Sequence, residues 1–234
     1  MVSVVIPCYN GASYIAAHIV RLSKFLQGYF HEFEIIVVDD GSTDTTRTTL
    51  QGCAQVDAHV RLLELSHNQG KGAAVRAGML AAQGEVVLFT DADLPYDLSA
   101  VVSFAKELET GADVVLGARE DVGAVSGQQT HRTLLSKFFA QIANFVLIEN
   151  VPDTQAGFKG FSKDAVRQIF PEVTIPRFGF DVEAILIAQK KHLHVVSLPV
   201  VLVNQAPSTV RVRRDGFQMC LDLVYIFWKH RLHV

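Results

Sequence analysis

The sequence predicts an α/β fold, a mostly parallel sheet flanked by helices. Three observations carry this reading. Short, largely apolar runs recur at Ser3–Ile6, Glu34–Val38, Val60–Glu64, Val86–Phe89 and Val114–Leu116. Amphipathic stretches at Tyr14–Phe30, Thr43–Cys53, Gly72–Ala82 and Leu98–Leu108 separate them. Polar segments rich in Asp and Gly follow directly after several of the runs. Strands without polar alternation, spaced by helices, form parallel sheets covered on both faces. In such sheets ligands bind outside the carboxyl ends of the strands.

The second half has a different texture. Arg132–Ile148 reads as a long apolar helix, Gly157–Phe161 and Val195–Val203 as strands, and Phe180–Gln189 and Phe217–His230 as helices. No linker rich in Pro, Gly or Ser divides the chain. Residues 1–234 are therefore expected to form one domain, in which residues 121–234 complete a site begun by residues 1–120.

Composition narrows the function classes. The 234 residues carry a net charge of −3, with 49% hydrophobic and 19% charged residues. That balance excludes a disordered chain and gives no global positive field to hold nucleic acid. The cysteines, Cys8, Cys53 and Cys220, are odd in number and form no CxxC pair. Neither a disulfide framework nor a zinc site is expected, and a reducing, cytoplasmic setting is. The N-terminal run lacks the basic start of a signal peptide, and no stretch of 18 uninterrupted apolar residues occurs. The histidines form no HxxxH or HExxH pattern, and His192 and His194 are expected to face solvent.

Two acidic motifs follow predicted strands. Asp39 and Asp40 end Glu34–Val38, and Ser42-Thr43-Asp44 then supply ordinary helix-capping chemistry. Capping does not account for two adjacent acids, which repel unless something engages them. Asp91-Ala92-Asp93 follows Val86–Phe89. Residues i and i+2 of an extended chain share a side, so both carboxylates can face one hard divalent cation, Mg²⁺ or Mn²⁺. The competing role for Asp93 is to cap the helix near Leu98. Asn68-Gln69-Gly70-Lys71-Gly72 brings backbone N–H groups, a lysine and a helix N-terminus together, which suits an anion, although the P-loop spacing is absent. Arg119 closes the strand Val114–Leu116 and Arg132 opens the long apolar helix; arginines so placed clamp phosphates or join surface ion pairs. Asp153, in Asp153–Lys159, is a third acid near the second half's first strand, or a turn former beside Pro152.

Taken in order, Pro7–Asn10, Val37–Asp44, Asn68–Gly72, Asp91–Asp93, Gly117–Arg119 and Asp153–Lys159 resemble glycosyltransferase family 2, and within it the dolichyl- or polyprenyl-phosphate glucosyl- and mannosyltransferases. The resemblance covers nearly the whole chain. It implies the GT-A fold, a Rossmann-like sheet, with residues 1–120 as the nucleotide-binding half. It implies inverting transfer of a hexose from UDP-glucose or GDP-mannose to a lipid phosphate. Pro7, Tyr9, Asp39 and Asp40 would then hold the base and ribose. Lys71 would lie near the base or diphosphate. Asp91, Ala92 and Asp93 would serve ribose and metal, with Asp93 the main metal ligand. Arg119, Arg132 and Asp153 would meet phosphate or acceptor. The chain departs from the family pattern at Gly11, where Glu is common, and at Pro95, where many mannosyl members place a metal-ligating Gln. Trp near Asn204 and Lys at Thr209 are also missing, which leaves acceptor-phosphate contacts to Ser208, Arg211 and Arg213. The rival functions are a family 2 enzyme with a soluble or saccharide acceptor and a non-catalytic nucleotide-sugar binder. A dinucleotide-dependent dehydrogenase is disfavoured, because no GxGxxG follows the first strand.

Phe217–His230 is apolar nearly all round and has basic flanks, Arg211, Arg213 and Arg214 before it and Lys229, His230 and Arg231 at its end. Such a helix suits a membrane surface, here the inner face of the membrane, with core packing or a homodimer interface as the alternatives.

Overall fold

The computed structural model describes residues 1–119, 156–203, 221–226 and 228–230. Seven strands form one sheet in the order β3-β2-β1-β4-β6-β5-β7. The strands are β1 (Val2–Cys8), β2 (Phe33–Asp39), β3 (Val60–Glu64), β4 (Val86–Thr90), β5 (Val114–Arg119), β6 (Phe158–Ser162) and β7 (Val195–Val200). Among the described residues, the helices before the C-terminal segment are α1 (Ile15–Tyr29), α2 (Thr46–Val56), α3 (Lys71–Ala81), α4 (Ser99–Glu109), α5 (Lys163–Ile169) and α6 (Phe180–Lys190).

The strand pairs β1/β2, β1/β4, β2/β3 and β5/β7 are parallel. Strand β6 alone runs antiparallel, wedged between β4 and β5. Its direction was not legible in the sequence, because an apolar run carries no polarity. Val4, Ile6, Ile35 and Val37 pack under α1 and α4, while their neighbours Val5, Ile36 and Val38 pack under α3 and α6. This two-sided burial is why the central strands are apolar at both parities.

Two elements depart from the sequence expectation. Helix α5 was not anticipated; at seven residues it is too short for periodicity to reveal, although Ser162 Oγ caps it by accepting from the Ala165 N–H at 3.1 Å. Strand β7 stops at Val200, short of Val203. The chain there swings to the loop after β4. Asp97 N–H donates to the Val201 carbonyl, Val203 N–H donates to that of Pro95, and Tyr96 bridges Leu202. Residues 201–203 therefore run beside the turn that follows Asp91–Asp93.

Residues 221–226 and 228–230 are helical and divide into two faces. Leu223 and Ile226 join the core on the α6 side, so core packing accounts for one face. Leu221, Val224, Tyr225 and Trp228 are exposed. At spacings of three, four and seven residues they form one stripe. Lys229 and His230, expected among lipid-facing basic flanks, turn inward instead: both reach the fully buried Glu183 carboxylate, at 2.9 and 3.2 Å. That carboxylate also accepts from the Thr174 and Ile175 N–H groups. Burial works against its charge, but these donors hold the Glu183 carboxyl below the usual glutamate range. The predicted helix Arg132–Ile148 and residues 217–220 and 227 lie outside the described residues. Among the described residues no helix is long and apolar enough to cross a membrane. His192 and His194 face solvent, as expected.

Candidate active site

The parallel strands β1, β2 and β4 end together, which gathers Tyr9, Asp39 and Asp91 along one edge of the sheet; β1 and β2 pair Cys8 with Asp39. The loops at this edge are cross-linked. Asn10 adopts a left-handed backbone (φ 51) and receives the Thr43 N–H on its Oδ1 at 2.9 Å, while its own N–H donates to Ser42 Oγ. Asp44 accepts from the Thr46 N–H at 3.0 Å, the capping role expected of it.

The adjacent acids Asp39 and Asp40 point to different partners, as successive residues of an extended chain must. Asp39 is fully buried; its Oδ1 accepts from the Ser42 N–H at 3.0 Å and its Oδ2 faces Arg47 Nε at 3.4 Å. Arg47 also lies 3.6 Å from Glu64. Asp40 turns to the other loop and accepts from Asn68 Nδ2 and from the Gln69 and Gly70 N–H groups at 3.0, 2.7 and 2.9 Å. Burial pushes the Asp40 carboxyl up, the loop N–H groups draw it back, and Asp39 adds to the rise. The repulsion between neighbouring acids is thus met by protein donors on both sides.

The 68–72 loop differs from its sequence expectation. The N-terminus of α3 is covered by the 175–177 segment, and the Ala73 N–H donates to the Pro176 carbonyl at 3.0 Å. Lys71 turns to Asp91, 2.5 Å away. Burial opposes its charge, but Asp91 and then Asp181 outweigh burial and hold the ammonium above the ordinary lysine range.

Asp91 and Asp93 flank the half-turn after β4. The start of α4 is served by Asp97, whose carboxylate accepts from the Ser99 N–H at 2.8 Å, so Asp93 is not the cap of that helix. Burial, and then the charge of Asp91, push the Asp93 carboxyl up, with Lys71 and His18 pulling the other way. Two half-buried carboxylates, close enough that the charge of Asp91 pushes Asp93 up, are suited to a divalent cation. Among the described residues no third His, Cys, Asp or Glu joins them.

Several residues at this site were not singled out from sequence. His18 Nδ1 lies 2.8 Å from the Ala92 carbonyl and ties α1 to the acidic turn. Tyr14, stacked at an angle on His18, has its hydroxyl pushed up to about 12 by burial and by Cys8, Asp93, Asp44 and Asp91 in turn. Gly11 explains one departure from the family pattern: a Cβ there would lie 2.7 Å from Cys8 Sγ and 3.0 Å from the Tyr14 ring. Tyr96 Oη accepts the Gly157 N–H at 2.9 Å, and a Cβ on Gly157 would lie 2.1 Å from Asp91 Oδ2. Lys159 and Asp181 form a buried pair at 2.8 Å. The signal for Lys159 was a charge inside an otherwise apolar strand. Asp181 carried none beyond an acid in the first turn of a helix.

The other expected residues divide by location. Pro7 is half-buried, Tyr9 is exposed and Ala92 is buried. Arg119 is exposed at the end of β5, where its charge acts on the buried Tyr96 hydroxyl. Arg132, Asp153, Ser208, Arg211 and Arg213 lie outside the described residues.

Comparison with known proteins agrees with this layout. The model of the family described as glycosyl transferase family 2 matches residues 3–170. A dolichyl-phosphate beta-glucosyltransferase of Saccharomyces cerevisiae is 32% identical over 244 residues, 96% of this chain and 73% of that protein. One from Trichomonas vaginalis is 31% identical over 236 residues, covering 95% and 69%. Among solved structures, glucosyl-3-phosphoglycerate synthase from Mycobacterium tuberculosis, in complex with Mn²⁺, UDP-glucose and phosphoglyceric acid, is similar at TM-score 0.71 and 17% identity, over 97% of this chain and 79% of that one. That likeness shows the fold, and the sequence match shows the family: the chain belongs to glycosyl transferase family 2 and is a glycosyltransferase with a GT-A fold.

Proposed function

We propose that this enzyme transfers glucose, with inversion, from UDP-glucose to a polyprenyl or dolichyl phosphate at a membrane surface. The observation that carries the donor half is Asp91-Ala92-Asp93 at the end of β4, a carboxylate pair not consumed by helix capping. The names of the relatives favour glucose over mannose and a lipid phosphate over a soluble acceptor, and the structural neighbour was solved with UDP-glucose.

The carboxylates of Asp91 and Asp93 fit Mg²⁺ or Mn²⁺, hard ions that take oxygen ligands. With Pro95 following, a bound ion would take its further ligands from the nucleotide's phosphate oxygens or water. The bound ion supplies charge neutralisation for the departing diphosphate. Lys71 holds Asp91 in place. Pro7 and Tyr9 flank the base or ribose, and Asp39 reaches the base once Arg47 yields its place on Oδ2. The acceptor phosphate, ionised at neutral pH, attacks the anomeric carbon opposite the leaving group. The anomeric C–O bond breaks, and its electron pair leaves with UDP. Such a nucleophile needs no strong general base. Arg119, Arg132, Ser208, Arg211 and Arg213 bind phosphate, and Asp153 orients the acceptor.

The stripe of Leu221, Val224, Tyr225 and Trp228 gives the membrane contact, because a lipid acceptor must be met at its bilayer. The deciding experiment is a donor and acceptor panel with metal and detergent, read by product mass. A hexosyl phospholipid formed from UDP-glucose is the expected product. Product only from GDP-mannose, only on soluble acceptors, or none at all overturns the proposal.

A further inference from the structure

Lys159 stands in the middle of the sheet. Its neighbours in register are Phe89 on β4 and Leu116 on β5, and its side chain is 1% exposed. Placing an ammonium there carries a heavy desolvation cost. The ammonium is met by three groups. Nζ donates to the Ala156 carbonyl at 2.6 Å, lies 2.8 Å from Asp181 Oδ1, and sits 5.4 Å from the centroid of the Phe89 ring. Asp181 is itself buried, in the first turn of α6, where the helix dipole favours an acid. Its charge also acts on Lys71, which bonds Asp91.

Stability alone is a poor account of this pair, because buried ion pairs are often replaced by apolar side chains at no loss. What the pair does hold is backbone. Lys159 fixes residue 156 through its carbonyl, and the Tyr96 hydroxyl fixes the next residue through the Gly157 N–H. The Asp91 carboxylate packs so closely on Gly157 that a Cβ there would push it aside. Residues 156–157 are thus the wall against which Asp91 rests.

We infer that Lys159 and Asp181 are positioning residues, which lock the 156–157 wall so that Asp91 is held ready for the metal–nucleotide. The inference rests on the donor-site reading above. It links the antiparallel strand β6 and helix α6 to the acidic turn after β4, and gives the lone inverted strand a task in the site.

The test is calorimetric titration of UDP with and without Mn²⁺, together with thermal unfolding, on the wild type and three variants. The wild type should bind UDP more tightly with Mn²⁺. Asp181→Asn and the double variant Lys159→Met/Asp181→Asn should fold and keep metal-free UDP binding. They should lose about tenfold of the gain that Mn²⁺ gives, the scale seen when groups orienting a metal ligand are removed. Lys159→Arg, which keeps the charge, should recover part of that gain. Folded variants with the wild-type Mn²⁺ gain overturn the inference. So does an Asp181→Asn chain that fails to fold, which would make the pair a stability element. A wild type whose UDP affinity ignores Mn²⁺ instead overturns the donor-site reading, and the inference with it.

Discussion

The two acidic pairs at the carboxyl edge of the sheet look alike in sequence and differ in what surrounds them. Asp39 and Asp40 are consecutive, so their side chains diverge: one meets Ser42 and Arg47, the other meets the 68–70 loop. Asp91 and Asp93 lie not on an extended strand, as the spacing suggested, but in the turn closed by the Leu94 N–H on the Asp91 carbonyl, where the charge of Asp91 reaches Asp93. Protein donors fill the first pair, and Asp40 in particular serves as a clamp between loops. In the second pair Lys71 bonds Asp91, and the charge of Asp91 pushes the Asp93 carboxyl up while Lys71 and His18 pull it down. Protein donors engage both members of the first pair, whereas the pair after β4 is the one suited to a cation.

The sharpest way to break this comparison is to remove one acid from each pair. Asp93→Asn should leave the fold intact and lower turnover by about 100-fold or more, since a metal at a leaving diphosphate is worth several kcal/mol. Steady-state rates beside a thermal melt check this; a variant with wild-type rates would show the pair to be idle. Asp40→Ala should do the reverse. It strips the acceptor from three loop donors, two of them backbone N–H groups, and should cost about 1–3 kcal/mol. At this chain length that amounts to about 2–4 °C in Tm per kcal/mol. A normal melting point with lost UDP binding would move Asp40 into the ligand site.

Arg47→Ala probes the remaining acid. Arg47 is partly exposed, so its loss should cost under about 1 kcal/mol. If Asp39 reads the base, removing its competitor should tighten UDP binding by no more than about fivefold. Weaker binding would mean that Arg47 itself holds the donor.

The smallest effect is in pH. The Asp40 carboxyl is raised by burial, with its neighbour Asp39 adding to the rise. A raised native acid stabilises less when charged, so its contribution grows as pH falls from above its native value toward the ordinary aspartate value near about 3.9. Asp40→Asn lacks that titration. The stability gap between wild type and variant in urea should therefore widen on acidification, and a constant gap would count against the buried-clamp account.

Much of this was legible in the sequence for a physical reason. Strands buried on both faces must be apolar throughout, so β1, β2 and β4 announced themselves, and the acidic motifs fell at their ends. The direction of β6 and the pairing of Lys159 with Asp181 were not legible. They depend on which helix packs over which strand, across a sequence separation that no local pattern spans. The last helix was half legible. Its apolar residues were plain, but only packing divides Leu223 and Ile226 from Leu221, Val224 and Trp228. The inward turn of Lys229 and His230 depends on Glu183, which in sequence is one acid of an ordinary helix.

Direct titration of Mn²⁺ in the presence of UDP, followed by the loss of the free-ion signal in electron paramagnetic resonance, compares the two acidic pairs without relying on turnover. Wild type and Asp40→Asn should both sequester the ion, with Asp40→Asn bound as tightly wherever it is folded, and Asp93→Asn should leave it free. Sequestration by Asp93→Asn at wild-type affinity would contradict the assignment of the metal to the acids after β4.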